Sequence, residues 1–170
     1  MKNFHEIQPK DWQINPFQKI GEEWMLITAE KDGKCNSMTA SWGGVGVLWA
    51  KNVVYIFVRK SRYTKDFIDG AERFSLTFYE RPQYTAMLSY MGKTSGRSED
   101  KIAKAGLTLC HDGDTPYFAE ADTVLVCRKM ACQPVTPDSF VDSSVDAKFY
   151  ADHDYHDMYI AEIEKILVKE

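Results

Sequence analysis

Short runs rich in β-branched and aromatic residues, each ended by a turn signal, recur along this chain and restrict the folds open to it. Residues 24–29 (WMLITA), 36–42, 53–59, 73–80 (RFSLTFYE), 123–130 (TVLVCRKM) and 158–168 (MYIAEIEKILV) read as strands. Residues 107–110 and 116–119 read as two shorter strands around the turn His111-Asp112-Gly113-Asp114. Lys31-Asp32-Gly33-Lys34 and Ala50-Lys51-Asn52 supply further turns. Helical spacing is confined to brief segments. One follows Ser61, with Ser61 or Thr64 as its cap, Phe67 and Ile68 as its apolar face and Gly70 as its end. A second covers 84–91 and stops at Gly92; a third covers 100–105 and closes at Gly106. Residues 133–154 are polar and expected to be loop-rich. Strands do not alternate with long helices, which argues against a doubly wound parallel sheet; an antiparallel barrel, closed or partly open, is expected.

A chain of 170 residues reads as one domain over 1–170, long enough to bury a sizeable core. The formal net charge of -4 argues against wholesale nucleic-acid binding. No apolar run approaches the roughly 20 residues that cross a bilayer, so no membrane partner is expected. The polar start MKNFHEIQPKDW has no apolar signal core, and the expected location is cytoplasmic. Cys35, Cys110, Cys127 and Cys132 have no CxxC spacing and are read as free thiols.

Four segments carry chemistry. In Asn36-Ser37-Met38-Thr39-Ala40-Ser41-Trp42-Gly43-Gly44, hydroxyls and backbone amides can meet the edge of a heteroaromatic ring. On its own the segment reads first as a strand with a glycine bulge. Arg59-Lys60-Ser61-Arg62-Tyr63-Thr64 gathers guanidinium, hydroxyl and amide donors at a helix start, as a phosphate requires; a solvated basic turn is an equal reading. Ser95-Gly96-Arg97-Ser98-Glu99-Asp100-Lys101 is a loop able to close over an anion, or a plain surface loop. Asp152-His153-Asp154-Tyr155-His156 invites a metal reading, but its HxxH lacks a third firm ligand, so no metal is expected. His156 instead stands at a strand end, where site residues often lie.

Taken in order, NSMTASWGG, IFVRKSRYT, KTSGRSEDK and HDMYIAEI resemble the flavin reductase-like family, which has an FMN-binding split barrel. The similarity spans roughly residues 24–166 and is closest to the short, flavoredoxin-like branch. It implies a mainly β fold: a six-stranded antiparallel split barrel of Greek-key type with short inserted helices, forming a homodimer. It implies FMN as cofactor and NADH or NADPH as transient donor. By motif position, Thr39, Ala40, Ser41 and Trp42 would line the ring, with Asn36 and Met38 also binding the cofactor. Arg59, Ser61 and Thr64 would hold the phosphate, with Ser95, Gly96, Arg97 and Lys101 covering that side. His156 would be the catalytic residue facing flavin and nicotinamide. The chain departs from the longer reductases at Asp154-Tyr155-His156, where they often carry Gly-Asp-His. It also has Ser98 where many relatives are acidic. The resemblance implies an oxidoreductase passing electrons from NAD(P)H through FMN to an acceptor. The alternative is an FMN-carrying electron-transfer protein reduced by a protein partner.

Overall fold

Two tight hairpins set the geometry of the N-terminal half. The structure, a computed structural model, describes residues 4–170. Strand β1 (Phe4–Ile7) comes first, and β2 (Met25–Lys31) pairs with β3 (Lys34–Ala40) across Asp32-Gly33. Both turn residues have positive φ, 52° and 71°, the feature of the primed turns that match strand twist. The next hairpin joins β4 (Gly43–Leu48) to β5 (Lys51–Arg59) across Trp49-Ala50, again with φ positive at both, 51° and 55°. Strand β4 was not expected. Its three glycines lower strand propensity, but the Tyr55 ring lies over Gly44 and Gly46, 3.8 Å from where a Cβ would stand at each, and the β5 ladder pairs the backbone.

Helix α1 (Tyr63–Gly70) leads to β6 (Arg73–Phe78); α2 (Thr85–Lys93) and α3 (Lys101–Lys104) follow. Strands β7 (Leu109–Asp112) and β8 (Thr115–Phe118) form a separate hairpin. Strand β9 (Thr123–Pro134), α4 (Ser143–Phe149) and β10 (His156–Lys169) complete the chain. The loop-rich expectation for 133–154 therefore misses one α-helix and a short 3₁₀ helix at Pro137–Ser139. At α1 the N-cap is Arg62, with no side-chain cap, and not Ser61 or Thr64. Asp100 does cap α3 by accepting from the Ala103 amide.

The large sheet runs β3-β2-β6-β9-β10-β5-β4, with β1 also on β10, and all its ladders are antiparallel. The fold is thus mainly β and antiparallel with short helices, as expected, but its sheet has eight strands rather than six. The two end strands, β3 and β4, do not pair; the chain joins them through Ser41 and Trp42 alone. Three residue steps span at most about 11 Å, so the sheet must curl until its edges meet. The barrel is closed there by covalent linkage and left split as a ladder. Adjacent residues point to opposite faces: Ile27, Leu76 and Leu125 enter one apolar cluster, while Leu26, Val124 and Val126 pack with Leu88 and Met91 of α2 in another. No helix among the described residues is long and apolar enough to cross a membrane.

Candidate functional site

Register brings the chemistry to one rim. Strand β5 ends at Arg59, β10 begins at His156, and the antiparallel ladder pairs those two residues. The end of β3, the Ser41-Trp42 link, the start of α1 and the α2–α3 loop reach the same rim. Together they line two cavities of about 300 and 200 Å³ that share Met38, Arg59 and Arg62 as a common wall. The pair forms one groove of a size suited to a small organic ligand.

The larger cavity is the polar end. Lys101 is buried, and its Nζ donates to the carbonyls of Met91 and Thr94, each at 2.8 Å. One of its three N–H bonds is left for the cavity. Burial, followed by the nearby Arg62 charge, lowers its pKa to about 8. No carboxylate pairs with it among the described residues. Arg62 donates to the Gly92 carbonyl at 2.7 Å and borders both cavities. Asn36 Nδ2 donates to Thr64 Oγ1 at 2.9 Å, holding β3 to α1. Gly96 crosses Asn36 closely: a Cβ there would lie 2.2 Å from Asn36 Oδ1. Any side chain at 96 would displace the cavity wall.

Arg59 and Ser61 also line this cavity, but the Ser61 donors and most of the Arg59 ones are engaged. Arg59 donates to the carbonyls of Asp154 (2.8 Å) and Phe149 (3.0 Å) and reaches Asp152 at 3.4 Å. Its guanidinium lies over the Tyr150 ring at 5.4 Å. Asp154 accepts from the Ser61 amide at 3.1 Å and from the Ser61 hydroxyl at 2.6 Å. Acceptors of the 149–154 segment, two carbonyls with the Asp152 and Asp154 carboxylates, therefore take the Ser61 donors and most of the Arg59 ones that the sequence suggests for an anionic tail.

The smaller cavity is the aromatic end, lined by Met38 to Trp42, Phe57 and His156. The His156 ring lies 5.3 Å from Trp42, and Trp42 meets Phe149 edge-on at 5.5 Å. The Thr39 hydroxyl is turned away and donates to the Leu88 carbonyl. His156 Nδ1 is 2.8 Å from the Tyr150 hydroxyl. Burial first, and then the Arg59 charge, push the His156 pKa down to about 4, so the ring is neutral near pH 7.

The groove thus gathers Asn36, Met38, Thr39, Ala40, Ser41, Trp42, Arg59, Ser61, Thr64, Ser95, Gly96, Lys101 and His156. Arg97 lies outside both cavities: it pairs with Asp66 at 3.0 Å and covers the outer face of Tyr63 at 4.5 Å. Arg62, Phe57, Asp152 and Asp154 belong to the groove though the sequence-based site set omits them. The basic hexapeptide signalled Arg62, while the acidic pair was visible only as a poor metal motif. Among the described residues no His, Cys, Asp and Glu cluster is arranged to hold a metal ion.

Comparison with known proteins gives the family and the fold of the chain. A family model described as a flavin reductase like domain matches residues 17–170. No curated protein gives a significant match. Among solved structures, an FMN-binding domain of a flavin reductases-like enzyme from Shewanella baltica superimposes with TM-score 0.70 at 16% identity, over 98% of this chain and 78% of that one. Flavoredoxin from Methanosarcina acetivorans gives 0.68 at 21% identity, over 87% and 69% of the two chains. Flavoredoxin of Desulfovibrio vulgaris (Miyazaki F) gives 0.67 at 24%, over 86% and 69%. At these identities the structural likeness concerns the fold.

Proposed function

Because this chain belongs to the family of flavin reductase like domains, we propose that its groove holds FMN and that the protein is an oxidoreductase. Electrons would pass from NADH or NADPH through the bound flavin to an acceptor. The supporting observation is the continuity of the groove, an aromatic end joined to a basic, hydroxyl-bearing end through Met38, Arg59 and Arg62. The residues present fit the group. Lys101 is a buried cation with no carboxylate partner among the described residues, and Gly96 keeps the polar end open. Bound FMN supplies the redox chemistry, which side chains cannot.

The chain's own residues orient and enclose. In this reading Lys101 and Arg62, with Thr64 and Ser95, receive the phosphate, a dianion for which charge-assisted donors are strongest. Met38, Ala40, Ser41 and Trp42 flank the ring, and His156 stands at its open side. The segment bearing Phe149, Asp152 and Asp154, tied down by Arg59, limits water at that side. Strand β4 ends the sheet and has an uncharged sequence, with Val47 and neighbouring Trp49 exposed. Such an edge calls for cover, and the proposed cover is a second copy in a homodimer.

The test is an absorbance spectrum of the purified protein with FMN, followed by anaerobic addition of NADH and then NADPH. Bleaching of a protein-bound flavin band by either nucleotide supports the reductase and identifies the donor. Bound flavin that stays oxidised with both favours the second reading, an FMN carrier reduced by a redox protein partner. The departure from the longer reductases at Asp154-Tyr155-His156 favours that alternative. An absence of bound flavin overturns both.

A further inference from the structure

Tyr150 follows α4 directly and lies six residues before His156 in sequence. It is buried, and its ring is fixed from several sides. It stacks on Tyr155 at 4.9 Å with 14° between planes and meets Phe140 at 5.4 Å. It stands edge-on to His156, and Arg59 lies over its face. Tyr155 is itself held by donating to Asp146 at 2.8 Å. The hydroxyl of this clamped ring points at His156 Nδ1 from 2.8 Å.

The direction of that hydrogen bond follows from chemistry. A phenol is a stronger donor than a neutral imidazole N–H, and an imidazole ring nitrogen is a better acceptor than a phenol oxygen. Burial raises the Tyr150 pKa, with Arg59 over the ring opposing part of that rise, so the phenol keeps the proton it donates. His156 is held neutral by burial and by the charges of Arg59 and Arg62, which outweigh the opposing Asp154 and Asp157. A neutral imidazole that accepts at Nδ1 must carry its proton on Nε2. Nε2 has no protein partner among the described residues and is not sealed from solvent, and His156 borders the aromatic cavity.

We propose that Tyr150 is a positioning residue that locks His156 in the neutral Nε2–H tautomer, so that the aromatic end of the groove presents a fixed hydrogen-bond donor. Such a donor suits a ligand oxygen such as a carbonyl and disfavours a protonated amine. The proposal rests on the FMN reading only for which ligand adjoins that donor; the tautomer does not depend on flavin.

The test is a long-range proton–nitrogen correlation spectrum of the uniformly ¹⁵N-labelled, flavin-free full chain near pH 7. The chain has four histidines, and His156→Gln identifies the signals of His156. The expected parent spectrum has Nε2 protonated and Nδ1 bare. Tyr150→Phe keeps the packed ring and removes only the donor; it should raise the Nδ1–H to Nε2–H ratio about tenfold, the size expected for one lost hydrogen bond. A parent protein with mainly Nδ1–H or a charged ring overturns the proposal, and so does an unchanged ratio in Tyr150→Phe. The parent spectrum alone decides the tautomer if the variant folds poorly. Failure of FMN to bind leaves this measurement intact and overturns only the flavin reading.

Discussion

Lys101 makes the affinity for a phosphate-bearing ligand depend on pH in a specific direction. Its pKa falls from the ordinary 10.5 to about 8 because the ammonium is buried, with Arg62 nearby and no carboxylate opposite. A bound phosphate supplies the missing negative charge and draws that pKa back up. Full recovery would be worth up to about 3 kcal/mol. Water at the open groove screens the charge and leaves roughly half of that, about tenfold in affinity. The sign follows: below about pH 8 the free protein already carries the ammonium and affinity is flat. Above it, binding requires proton uptake and weakens. The assay is a fluorescence titration with FMN and with riboflavin, which shares the ring but lacks the phosphate, at steps from about pH 7 to about pH 10. The ratio of the two Kd values cancels the ring's own ionisation. It should shift about tenfold against FMN over that range, and Lys101→Met should abolish the shift. Lys101→Met should also weaken FMN by roughly 10- to 100-fold near pH 7, as loss of a charged donor does. A ratio that stays constant with pH, or a Lys101→Met protein that keeps the slope, refutes the assignment of Lys101 to the anion.

Other outcomes follow from the same geometry. Asp154→Asn keeps an acceptor for Ser61 but removes a negative charge from the polar end, and should tighten FMN by about 5- to 10-fold with riboflavin unchanged; titration of both ligands checks it. Gly96→Ala drives a methyl into Asn36 and should lower stability by about 1–3 kcal/mol in urea unfolding, with FMN binding impaired. His156 has its folded pKa depressed from 6.5 to about 4. As pH falls, the unfolded chain takes up this proton first, so stability is full above about pH 6.5 and is lost toward pH 4, by roughly 1–2 kcal/mol after screening. Denaturation curves of His156→Gln should lack that share of the acid loss. On the proposed homodimer, the parent should sediment as a dimer and Val47→Lys, which places a charge on the β4 edge, should shift it toward monomer while leaving the parent fold's circular dichroism.

By itself the sequence determined the kind of fold and the chemical character of its site. The β-branched runs at 25–29, 53–58, 73–78 and 123–130 became strands because alternating apolar side chains could be buried on one face or both. Asp32-Gly33 encoded its own turn, and the small-residue strand, the basic hexapeptide and the 95–101 loop delivered most of the groove. Only the tertiary structure decided what local pattern does not carry. A glycine-rich segment became β4 because Tyr55 and the β5 backbone cover it, and the two-residue link at Ser41-Trp42 curled the sheet. Arg59 and Arg97 look equally fit for an anion in sequence, yet carbonyls from the 149–154 segment engage the first and Asp66 the second. Arg62 and Lys101 line the same cavity with no carboxylate partner among the described residues, because the rim of the barrel brings their backbones there and no carboxylate follows them. Residue type sets which interactions a side chain can make; its neighbours in space, hidden from the linear sequence, set which of them it has left to offer a ligand.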